Sequence, residues 1–152
     1  MKYISLVVLS VVLALCRTPD GRAESGFVGT VKAVKPDAFL IRRGMTMTAS
    51  AHMKIMIGDV VRTGANGSVG FILKDDTVIS MGPDSEIVID DFVFDPAGKK
   101  LSFIARLYHG TVAYISGQIA KLSPESVRFE TPVATIGMRG TRFLVAIDKS
   151  TP

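Results

Sequence analysis

The chain has 152 residues, 47% of them hydrophobic and 21% charged, with a formal net charge of +4. That is enough chain to bury a core without disulfide or metal staples, and its balance excludes a disordered polymer and a collagen-like repeat. Lys2, Arg17 and Arg22 against Asp20 put part of the positive charge in residues 1–23 and leave the remainder at +2. This is too little, and too dispersed, for a nucleic-acid or anionic-membrane surface.

The N-terminus has the form of an export signal. Lys2 gives a positive start, Ile4 to Leu15 is an unbroken apolar or small run, and Pro19 and Gly21 end any helix. The run reaches roughly 18 Å at about 1.5 Å per residue, short of a hydrocarbon core of about 30 Å, so a permanent span is disfavoured. Gly21 and Ala23 suit cleavage before Glu24, giving a signal peptide over 1–23 and a β domain over 24–152. The only cysteine, Cys16, ends Leu13-Ala14-Leu15-Cys16 and offers a second route, acylation as a lipoprotein, although Leu15 is bulkier than the residue such signals place there. After cleavage the domain has no cysteine, so its stability in an oxidising compartment rests on packing.

From Glu24 onward the periodicity is that of strands. Val69, Phe71 and Leu73 alternate towards one face, as do Leu101, Phe103, Ala105 and Leu107, and later Phe143, Val145 and Ile147. Ile87-Val88-Ile89 is apolar throughout and predicts a strand covered on both faces. Glycines from Gly29 to Gly140 punctuate the runs at positive-φ or tight corners. Eight to eleven short strands without a helix predict an all-β single domain, with a β-helix-like solenoid favoured and a β-sandwich as the alternative.

Few residues suggest chemistry. His52 and His109 are the only histidines, and neither sits beside a nucleophile motif; His109, before Gly110, reads as a turn or surface residue at a strand junction. Asp90, Asp91 and Asp95 lack the spacing of a calcium loop and read as a solvated hairpin end, while the carboxylates of Asp75-Asp76-Thr77 are expected to accept nearby backbone N–H groups. Met45, Met47, Met53 and Met56 form no complete soft-metal array; they predict an apolar patch, or an adaptable partner surface, within 42–57. No catalytic residue, metal or cofactor is expected.

The stretch G-D-V-V-R-T-G from Gly58, followed by D-D-T at Asp75 and G-P at Gly82, resembles the first half of the FecR domain. T-P-V-A-T-I-G-M-R-G-T-R-F from Thr131 resembles that family's closing segment. On this resemblance the family positions are Gly58, Asp59, Thr63, Gly64, Asp76, Thr77, Gly82, Pro83, Thr131, Pro132, Gly137, Arg139, Gly140 and Thr141, read as mainly architectural, with Arg139 the candidate partner contact. The resemblance implies a periplasmic, β-rich, non-enzymatic module, of a kind best known from regulators that relay an iron-transport signal to a sigma factor. The cytoplasmic anti-sigma segment and membrane span of those regulators find no counterpart in this sequence. The expected function is recognition of an envelope protein or polysaccharide, the alternatives being a structural subunit of an envelope assembly or a lipid-anchored envelope protein.

Overall fold

A computed structural model describes residues 26–137, 140 and 142–149; the leading segment with Cys16, and also Arg139 and Thr141, lie outside them. Twelve strands are present among the described residues: β1 Phe27–Lys35, β2 Ala38–Arg42, β3 Met45–Thr48, β4 Lys54–Met56, β5 Val60–Thr63, β6 Ser68–Leu73, β7 Val78–Met81, β8 Glu86–Asp95, β9 Lys100–Ile115, β10 Val127–Glu130, β11 Thr135–Gly137 and β12 Arg142–Ile147. The all-β expectation holds, but two strands are long and the described residues also include a short α-helix and a 3-10 turn over Pro124–Ser126.

The strands form two ladders that share β9. One runs β4-β1-β6-β7-β9-β12, using the second half of β9; the other runs β3-β2-β5-β8-β9-β10-β11, using its first half. Pairing is antiparallel except between β10 and β9. Alternation sets which side faces in: Val69, Phe71 and Leu73 are buried while Ser68, Gly70 and Ile72 are half-buried outside. Between the ladders the rings of Phe92, Phe103, Tyr114, Phe129 and Phe143 pack edge-to-face or stacked, at 4.9 to 6.3 Å between centroids. The sheet curls around this core as an open half-barrel.

Three expectations need correction. Ile87 and Ile89 are buried, but Val88 points outward and stays half-exposed, so this strand is covered on one face only. His109 lies within one continuous strand, β9, at the point where its pairing passes from one ladder to the other, rather than between two strands, its Nδ1 2.7 Å from the Asp84 carbonyl. A helix, α1 Gln118–Leu122, follows β9 where none was predicted, because a five-residue turn is too short to show a helical stripe.

Candidate functional site

Several of the family positions sit as the locks of successive turns. Gly58 has φ +83° and turns the chain so that Asp59, 1% exposed, points inward. The Asp59 carboxylate accepts two hydrogen bonds from the Arg42 guanidinium, at 2.8 and 2.7 Å, and one from the Met56 backbone N–H at 2.7 Å. Arg42 also donates to the Lys54 carbonyl. One carboxylate thus binds β2, β4 and the start of β5, a bidentate pair whose charge is compensated where it is buried.

Thr63 closes the next corner. Its hydroxyl donates to the Gly82 carbonyl at 2.7 Å and accepts the Ser85 N–H at 2.9 Å, so the Gly82-Pro83 turn is fastened to β5. Gly64 donates its N–H to the Asp37 carbonyl, and a Cβ there would fall 1.9 Å from the Asp37 carboxylate. Gly82 and Gly137 differ: neither has a positive φ, and a side chain would meet ordinary contact at Gly82 and open space at Gly137. The expectation that these two glycines are conformational requirements is therefore corrected.

In Asp75-Asp76-Thr77 the buried carboxylate is that of Asp75, which was not among the family positions read from the sequence. It accepts the Thr77 N–H at 3.1 Å, the Thr77 hydroxyl at 2.8 Å and the Ile119 N–H of α1 at 3.2 Å, and its carbonyl accepts the Gln118 N–H at 2.6 Å. Asp76 takes the left-handed conformation, φ +67°, that a glycine would favour. Thr131 folds Thr131-Pro132-Val133-Ala134 into a turn by accepting the Ala134 N–H at 2.9 Å. Gly140, with φ +142°, has the positive φ that was expected of it.

The acids proposed as one hairpin end separate. Only Asp95 sits there, accepting the Gly98 N–H; Asp91 accepts the Ser102 hydroxyl, and Asp90 lies beside the bulge in β8. Burial raises the Asp90 carboxyl above its usual range, the Arg106 cation opposes this and Glu130 adds to it. Among the described residues no three of His, Cys, Asp or Glu gather as a metal site. Met47 and Met53 pack on the core while Met45 is exposed on the edge strand β3.

What remains on the surface is an outward face of the β2-containing ladder. Phe39, Ile41, Val60, Val88 and Ile104 are half-buried across it, with register Ile41↔Val60, Val60↔Val88 and Val88↔Arg106. Arg106 lies 3.1 Å from Asp90 and 3.5 Å from Glu130 and donates to the exposed Tyr108 hydroxyl, and Arg62 pairs with Glu86 at 2.6 Å. A separate cleft of about 290 Å³, lined by Pro83, Asp84, Gly110, Thr111 and the end of β12, is crossed by the Lys149–Asp84 ion pair at 3.3 Å.

No curated protein and no solved structure matches this chain. A family model described as FecR protein matches residues 59–152, a span that begins at the buried Asp59 and takes in the Thr63, Asp75, Gly82 and Thr131 turns. The chain belongs to the FecR family, and this membership supports a FecR-like regulatory or sensing domain.

Proposed function

We propose that this chain is a non-enzymatic recognition module of the periplasm, and that the outward face of the β2-containing ladder binds another envelope protein. The observation that carries this is the make-up of that face. Phe39, Ile41, Val60 and Val88 form an apolar strip across β2, β5 and β8, with Ile104 diagonal to Val88 next to Arg106, and it is bounded by Tyr108 and by the Arg62–Glu86 and Arg106–Asp90 pairs. Apolar centres rimmed by arginine and tyrosine, with charges already compensated, are the composition of protein interfaces. The family's turn residues, by contrast, spend their polar groups inside the fold. Successive strands pass between the two ladders, which favours a solenoid-like wrap over two independently formed sheets. Export through residues 1–23 belongs to the same proposal, with acylation at Cys16 as the competing form; intact mass separates a chain starting at Glu24 from an acylated one.

A photo-crosslinking amino acid placed at Tyr108 in the producing cell tests the face. One discrete protein adduct, lost on Val88→Asp and absent when the probe sits at Ser80 on the other ladder, supports the proposal. Adducts to polysaccharide alone, or none from any position on this face, overturn it.

A further inference from the structure

Among the described residues β12 pairs only with β9, so its other edge offers backbone N–H and C=O groups to a partner. Natural edge strands block such pairing with a proline, a bulge or an inward charge. β12 has none of these: its register runs unbroken from Arg142↔Ile115 to Ile147↔Gly110, and its one charged residue, Arg142, is exposed. Leu144 is 68% exposed on the same face as Arg142 and Ala146, and the exposed Asp148 follows directly after β12, where the same alternation carried one residue further puts it on that face. The side chains of Arg142 and Asp148 make no ion pair or hydrogen bond with another described residue. No strand of this ladder carries an acid that Arg142 could meet.

We propose that β12 pairs antiparallel with β12 of a second copy about a two-fold axis at Leu144, making one sheet continuous through a dimer. Only registers that keep like faces together are allowed. With Leu144 opposite Leu144 of the partner subunit, Arg142 stands opposite Ala146 of the partner subunit and Phe143 opposite Val145 of the partner subunit. Asp148 then lies diagonally beside Arg142 of the partner subunit, a spacing that long side chains bridge. The pattern is self-complementary, as a two-fold interface requires, since the Arg142–Asp148 contact forms twice. A strand from an unrelated protein would gain the backbone bonds without these paired charges, which is why a second copy is the occupant.

Sedimentation equilibrium of the recovered chain over a range of concentrations tests this. Leu144→Lys sets like charges against each other on the axis and Arg142→Asp sets acid beside acid. Both side chains are exposed, so circular dichroism should show the fold intact. The wild type is expected to dimerise, each variant to weaken the dimer about tenfold or more, and Arg142→Asp with Asp148→Arg to restore it. In a Cys16→Ser background, Leu144→Cys is expected to form a disulfide-linked dimer and Ser80→Cys to form none. A wild type monomeric at every concentration, a dimer indifferent to Leu144→Lys, or a charge swap that fails to restore association overturns the proposal.

Discussion

Phe103 and Tyr114 belong to the same strand, yet their rings stack in the core with centroids 6.3 Å apart and planes 10° from parallel. An extended strand would hold them roughly 35 Å apart. β9 therefore folds back on itself, and the bend is at Gly110, with φ +92° and room for no side chain: a Cβ there would lie 2.4 Å from the Ser85 Cα. Gly110→Ala combines left-handed strain with a backbone clash and is expected to cost about 2 kcal/mol or more. Calorimetry should show a fall in Tm of roughly 5 °C or more; an unchanged Tm would mean that the bend lies elsewhere.

Asp75 and Asp76 are adjacent carboxylates with opposite expected behaviour. Asp75→Ala removes an acceptor of three buried hydrogen bonds and the anchor of α1, and should cost on the order of 3 kcal/mol in a denaturant titration. Asp76→Gly relieves a left-handed aspartate and gives up only an exposed bond from Gln118, so stability should stay within about 1 kcal/mol of the parent. Equal losses at the two positions would contradict the geometry.

Burial pushes the Tyr114 phenol up to about 12, the nearby Thr77 hydroxyl working against this and the Asp75 carboxylate adding to it. Thr77 gives its hydrogen to Asp75 and accepts from the Gly117 N–H, and the Tyr114 hydroxyl is buried without a hydrogen bond. The native value lies above the usual 10.0, so this group's contribution is whole below pH 10 and is lost as pH rises through about 12. An ultraviolet titration should find one tyrosine ionising near 12 together with unfolding. Tyr114→Phe should remove that step and leave neutral-pH stability unchanged or raised.

The Asp90 carboxyl is raised chiefly by burial, so the native state holds its proton more tightly than the unfolded chain does. Its contribution is complete below the usual value of 3.8 and declines as pH climbs through the raised one. Asp90→Asn should abolish that decline, measured as a flatter dependence of chemical stability on pH across the carboxylate range. A decline that survives the substitution would place it on another group.

The sequence declared the strands wherever one face is buried, because alternation is local: β6, the first half of β9 and β12 all read correctly from residues two apart. It marked Asp59 and Thr63 as family positions but could not supply Arg42 or Ser85, since those partners lie 17 and 22 residues away and no spacing rule connects them. The expectation that the Asp75-Asp76-Thr77 carboxylates accept nearby backbone N–H groups holds at Asp75, but its burial and its bond to α1 were not legible, because they depend on a helix more than 40 residues downstream. The outward strip from Ile41 to Val88 was invisible for the opposite reason: singly, its members look like ordinary strand residues, and only pairing lines them up.

Because β9 is shared, the order in which the chain emerges matters. When β9 appears, β7 and β8 are already available to both its halves, but the far sides wait for β10 and then for β12, the last strand of the described chain. Until β12 arrives, Tyr114 lacks Phe143, and the second half of β9 stands as an open edge. A nascent domain therefore passes through a stage in which its most aromatic region is its least protected, and quality-control factors that hold back exposed edges would act on it there.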